Sequence, residues 1–123
     1  MLELTINDTV YQFHFGMGFL RDVNKKVSVT VNELGGVTKN VGLQYLVAGV
    51  ADGEVESLVD LLDSANKGQT PRVTRDLLDR YVEDPNTDID HLFSEALDFL
   101  AQANATKKVV TAFLEKVKQQ NLS

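Results

Sequence analysis

Cysteine is absent from all 123 residues of the chain. That excludes a disulfide framework, thiolate catalysis and any cysteine-ligated zinc or iron–sulfur site. Long apolar runs are missing as well. None approaches the roughly 20 residues that cross a bilayer, so no membrane contact is expected. Positive charge is scarce, with 12 Lys and Arg against 18 Asp and Glu and a formal net charge of −6. A whole-protein field of that sign repels phosphate backbones, so no nucleic-acid partner is expected. The opening residues MLELTIND lack the basic-then-apolar order of a signal peptide, and the chain is expected to stay where it is made.

Apolar residues make up 43% of the chain, enough to build one core at this length without covalent staples. The charge is unevenly spread. Residues 1–51 are neutral, residues 52–98 carry thirteen acids against four bases, and residues 99–123 carry four lysines against Glu115. Two solvated faces of opposite sign would explain this. So would a basic C-terminal helix docked on an acidic surface, of its own domain or of a neighbouring copy.

Along the chain, Leu2, Leu4 and Ile6 alternate with polar residues, and Tyr11, Phe13 and Phe15 do so again beyond Asn7-Asp8. Period-two alternation around such a turn predicts a β-hairpin over 1–15 with one buried face. Gly16 and Gly18 end it, and Phe19, Leu20, Val23 and Val27 mark a short amphipathic helix over 17–27. Residues 28–40 read equally as a strand extending the hairpin, through Val29 and Val31, or as a loop turning at Gly35-Gly36.

From 41 to 104 the period is helical. Leu43, Leu46, Val47 and Val50 give one helix, ending near Asp52-Gly53. Val55, Leu58, Val59, Leu62 and Ala65 give the next, stopped at Asn66-Lys67-Gly68. A third starts at Thr74, with Val73 stapled to Leu78, and stops at Asp84-Pro85. A fourth opens with Thr87 and Asp90 as a capping box and carries Ile89, Leu92, Phe93, Ala96, Leu97 and Leu100. Over 105–120 a C-terminal helix shows Val109, Val110, Phe113, Leu114 and Val117 beside the lysines; it either breaks from the fourth helix at Asn104 or runs on from it. The fold expected is α+β: a mostly helical single domain with a short N-terminal hairpin or small antiparallel sheet and about five to six helices.

Candidate chemistry is thin. Asp84, Asn86, Asp88 and Glu95 fall at positions one, three, five and twelve of a calcium loop. Ile89, however, stands where the sharp turn wants glycine, Pro85 and His91 fit no better, and capping accounts for the same residues. His14 and His91 lie in different elements, and Gly16-Met17-Gly18 lacks the lysine and spacing of a phosphate loop. Asp60 with Asp63, and Asp76 with Asp79, read as solvated surface charge. No catalytic residue, cofactor or metal is expected. Binding remains, and the apolar stripe Val109, Val110, Phe113, Leu114 and Val117 is the candidate partner surface; docking of that stripe onto its own domain is the alternative.

Four blocks carry a resemblance that spacing alone does not give. They are LTINDTVYQFHFGMGFLRDVNKK, GLQYLVAGVADGEVESLVDLLDSANKG, TPRVTRDLLDRYVED and TDIDHLFSEALDFLAQANATKK, above all FGMGFLRDVNKK and FLAQANATKK within them. In this order they resemble the tail assembly chaperones of long-tailed phages that infect Gram-positive bacteria. The resemblance implies a non-enzymatic protein of the host bacterial cytoplasm that coats the helical tape measure protein, keeps it soluble while the tail tube forms, and does not stay in the mature virion. It implies self-association, contact with the major tail tube protein, and a longer form made by ribosomal frameshifting. A structural tail component, such as a completion or connector subunit, and a calcium-binding regulator are the competing expectations.

Overall fold

The computed structural model describes residues 1–31 and 36–122. Two strands open the chain, β1 (Leu2–Ile6) and β2 (Thr9–Phe13), paired antiparallel with Leu2 opposite Phe13 and Ile6 opposite Thr9. Between them Asn7 and Asp8 both take positive φ, 51° and 64°. Such a two-residue turn matches the natural twist of a hairpin, and short polar side chains tolerate it best. Leu2, Leu4, Ile6, Phe13 and Phe15 are buried, while Glu3, Thr5 and His14 face outward. Period-two patterning has placed one face of the hairpin in the core.

Helix α1 (Met17–Asn24) buries Phe19 and Val23 and ends before Val27. The Val27 carbonyl instead accepts from the Val41 amide at 2.9 Å, closing the base of a second hairpin, β3 (Ser28–Val31) with β4 (Val37–Asn40). This segment therefore contains strands, but they form a two-stranded sheet of their own and do not extend the first. Gly35, read above as half of a turn, lies outside the described residues.

Five helices follow: α2 (Gly42–Ala51), α3 (Val55–Asn66), α4 (Arg75–Glu83), α5 (Ile89–Gln102) and α6 (Lys107–Leu122). Helix α2 contains no charged residue and packs against α1, α3, α5 and α6. A helix without a polar face belongs inside, and Leu43, Val47 and Val50 are at most 1% exposed. Helix α3 is the second core element, with Leu58, Leu61 and Leu62 wholly buried. Strand β2 lies against it, joined by the His14 amide donating to the Ala65 carbonyl at 2.9 Å.

The helix ends follow local chemistry. Gly53 and Gly68 take φ of 81° and 82° after α2 and α3, the left-handed stop that a side chain resists. Thr74 accepts from the Leu77 amide at 3.1 Å at the start of α4, and Val73 and Leu78 are both buried beside it. Asp84 is extended ahead of Pro85, as the proline ring requires.

One cap differs from expectation. Asp88, not Thr87, accepts from the His91 amide at 3.1 Å and starts α5. A carboxylate there also faces the positive end of the helix dipole. The Thr87 hydroxyl donates instead to the Tyr81 carbonyl at 2.7 Å, tying α5 back to the end of α4. Helices α5 and α6 are separate. The buried Thr106 hydroxyl donates to the Leu100 carbonyl at 2.6 Å and folds the chain over at that corner.

Part of the acidic block is answered locally. Arg75 pairs with Asp60, and Arg72 holds Asp63 at 2.9 Å. At Asp22, partial desolvation pushes the carboxyl up. Hydrogen bonds from Lys67 and Ser64, with the charges of Lys67 and Lys26, outweigh it and leave the group below the usual carboxylate range. These pairs are half exposed and contribute modestly to stability.

Candidate functional site

The calcium-loop candidate is taken up by backbone interactions. Asp84 accepts from the Asn86 amide at 2.9 Å, Asp88 caps α5, and Glu95 faces the Nε2 of His91 at 3.3 Å. Ile89 packs against the core. Among the described residues no three His, Asp or Glu side chains gather at a metal-binding distance.

Among the described residues, two of the apolar grooves bear on binding a partner. The first lies where the hairpin meets the α5–α6 corner and encloses about 620 Å³. Phe15 forms its floor and is held from both sides: edge-on by Phe19, with ring centres 5.2 Å apart, and by Phe99 at 6.4 Å. Fixed aromatic rings make a rigid surface of large apolar area. Ala103 and Ala105 line the far wall and leave room for a side chain from outside. Met1 and Met17, the chain's only methionines, stand at the rim and are 58% and 49% exposed. An unbranched thioether moulds to irregular apolar partners, which suits a groove of this kind to helices of varied sequence.

The groove also joins two distant parts of the chain. Phe15 to Met17 open FGMGFLRDVNKK, and Phe99 with Gln102 to Ala105 belong to FLAQANATKK, the stretches most distinctive in the sequence. Spacing alone reads the first as the end of a strand and the start of a helix and the second as the end of a helix, while the family resemblance rests on both without joining them. Two exposed methionines beside aromatic residues were the available signal, but nothing along the chain says that positions more than eighty residues apart share a surface.

The second groove, about 320 Å³, runs between α2 and α6. Val109, Ala112 and Phe113 line it, with Lys108 and Lys116 at its edge and Gln44 of α2 opposite. The Oε1 atom of Gln44 is buried and has no hydrogen-bond donor.

The apolar stripe expected to face a partner is thus divided by the packing. Val110 is 0% exposed and sits in the core. Val109 and Phe113 are half-buried and line the second groove. Leu114 is half-buried against the core, and Val117 is half-buried beyond it. Helix α6 is docked on α2 and α5, and it is one edge of this stripe, with its lysines, that reaches solvent.

A family model described as phage tail assembly chaperone protein, TAC, matches residues 3–115. No curated protein and no solved structure matches the chain. The match spans nearly the whole sequence, and the chain belongs to the phage tail assembly chaperone family.

Proposed function

We propose that this phage tail assembly chaperone binds the tape measure protein of its phage and keeps it soluble in the host cytoplasm until the tail tube encloses it. A tape measure protein is a long helical client whose apolar stripes have no partner before assembly. Holding such a client calls for an apolar seat on a charged, soluble body, and for no catalytic group. The observation that carries this reading is the methionine-rimmed groove over Phe15 and Phe99, joined to the family match. An amphipathic helix laid in a groove of this kind buries its apolar anchors at i, i+3 and i+4.

Met17→Glu tests this seat. Met17 is exposed at the first position of α1, where a carboxylate favours the helix dipole and leaves folding intact, but it puts a charge on the rim of the groove. The variant is expected to retain about tenfold less tape measure protein in co-purification, because a seated apolar helix would strip water from the new carboxylate without pairing it. Its circular dichroism and melting temperature should stay close to those of the parent. Undiminished capture by the folded variant would move the seat elsewhere.

A further inference from the structure

The fold treats the two edges of the first hairpin differently. Ile6 and Thr9 flank the two-residue turn and exchange backbone hydrogen bonds, and in an antiparallel pair such partners recur at every second position. Leu4 with Tyr11 and Leu2 with Phe13 are the other bonded pairs. The backbone groups of Gln12 and His14 therefore point out of one edge, and those of Glu3 and Thr5 out of the other. The first edge is closed. The Gln12 carbonyl accepts from Asn66 at 2.9 Å, and the His14 amide donates to the Ala65 carbonyl at 2.9 Å. The second is open. Strand β1 pairs with β2 alone, and among the described residues no group bonds the outward N–H or C=O of Glu3 or Thr5. Natural sheets guard such an edge with lysine, proline or a bulge. Strand β1 has none of these; it pairs residue for residue, and Glu3 is its one charge.

A groove of about 450 Å³ adjoins the open edge. Thr5, Ile6 and Asn7 line it from the hairpin, and the half-buried Leu77 and Tyr81 from α4. The surroundings are acidic. Glu3, Asp8 and Asp84 are exposed, and none of them has an ion pair among the described residues. Arg80, also on the groove, is already paired with Asp76 at 2.9 Å.

We propose that the outer edge of β1 is a second docking surface, which takes an extended segment of a partner protein as an added strand, and that this segment alternates apolar and basic residues. The occupant follows from what the edge presents. Outward N–H and C=O groups on alternate residues match an extended backbone, and no helix, whose own groups are bonded internally. Side chains of an added strand alternate across the sheet. Those on the side of Leu4 and Ile6 enter the groove against Leu77 and Tyr81, where an apolar residue fits. Those on the side of Glu3 and Thr5 reach the carboxylates of Glu3 and Asp8, which favour lysine or arginine. A second copy of this chain fits less well, because its own β1 would bring the same acids against these. The inference does not depend on the client reading, because it uses neither of the apolar grooves.

The test is amide hydrogen exchange with a capped probe peptide, Lys-Val-Lys-Val-Lys-Val-Lys. In the free protein the Glu3 and Thr5 amides should exchange as open amides do, while the ladder protects Leu4 and Ile6. Saturating peptide should slow Glu3 and Thr5 about tenfold, the effect of one backbone hydrogen bond on each. Peptides N-methylated on every lysine, or on every valine, separate strand addition from adsorption of charge. The set whose amides face β1 should bind about tenfold more weakly, and the other set like the unmodified peptide. Thr5→Pro removes one outward N–H without touching the ladder, which an edge strand tolerates. It should melt close to the parent and bind the peptide about tenfold more weakly. The proposal is overturned if the peptide fails to bind at millimolar concentration, or binds without slowing Glu3 and Thr5. It is overturned equally if the two N-methylated peptides bind alike, or if a folded Thr5→Pro binds like the parent. Protection of both amides in the free protein would also overturn it, since this chain or a second copy would then close the edge.

Discussion

Gly42→Ala should destabilise the protein by more than about 3 kcal/mol, the upper range of overpacking by one methyl group. An alanine Cβ at this position would lie 1.7 Å from the carbonyl oxygen of Val23, 2.6 Å from its carbon and 2.9 Å from the Cα of Asn24. These are backbone atoms, which no rotamer change can move aside. The end of α1 crosses the start of α2 at touching distance, and Asn24 fastens the crossing by accepting from the Leu43 amide at 3.0 Å. A methyl group separates the two helices at the hub of the core. Gly18→Ala is the matched control: its Cβ would meet nothing within 4 Å, and alanine in a helix should stabilise by up to about 1 kcal/mol. Urea unfolding of the two variants checks both signs. A Gly42→Ala protein within about 1 kcal/mol of the parent would mean that α1 and α2 are not packed as described.

Asn66→Ala is expected to cost about 2–4 kcal/mol, the sum of several buried groups left without partners. Asn66 is 0% exposed. Its Nδ2 donates to the Gln12 carbonyl at 2.9 Å and the Pro71 carbonyl at 3.3 Å. Its Oδ1 accepts from the Val73 amide at 2.7 Å and from Arg72 at 3.0 Å. One side chain therefore joins the hairpin, the end of α3 and the lead into α4. A loss of that size should lower the melting temperature by about 10 °C in a domain this small. Asn66→Asp separates the two halves of the network. It keeps both acceptor bonds but turns an oxygen toward two carbonyls, so it too should destabilise. If it melts with the parent, the donor side of the network contributes nothing.

What the sequence disclosed and what it hid divides along the range of the interactions. The first hairpin was legible because alternation and the Asn7-Asp8 turn are local, and so were the glycine stops at Gly53 and Gly68 and the cap at Thr74. Thr87 and Asp88 are adjacent and both able to cap, with aspartate the stronger of the two, and the spacing from Thr87 to Asp90 masked that preference. Asn66 looked like part of a helix stop, which it is. Its heavier role, reaching Gln12 across fifty-four positions, leaves no mark in a local window. The stripe of α6 was visible as a stripe, but whether it faces the core or a partner depends on α2, whose own lack of charge was the one clue that other helices cover it. The Val109–Phe113 edge shares its groove with Gln44 of α2, a neighbour more than sixty positions away that no local pattern names. The methionine-rimmed groove depends on two segments that meet only in the folded chain.

Co-expression with the tape measure protein of the same phage tests the proposed function most directly. The expected result is that the tape measure protein, insoluble alone, moves into the soluble fraction and purifies with several copies of this chain bound along it. If the tape measure protein stays insoluble and this chain elutes alone, both as described and in a frameshift-extended form, the client is not the tape measure protein.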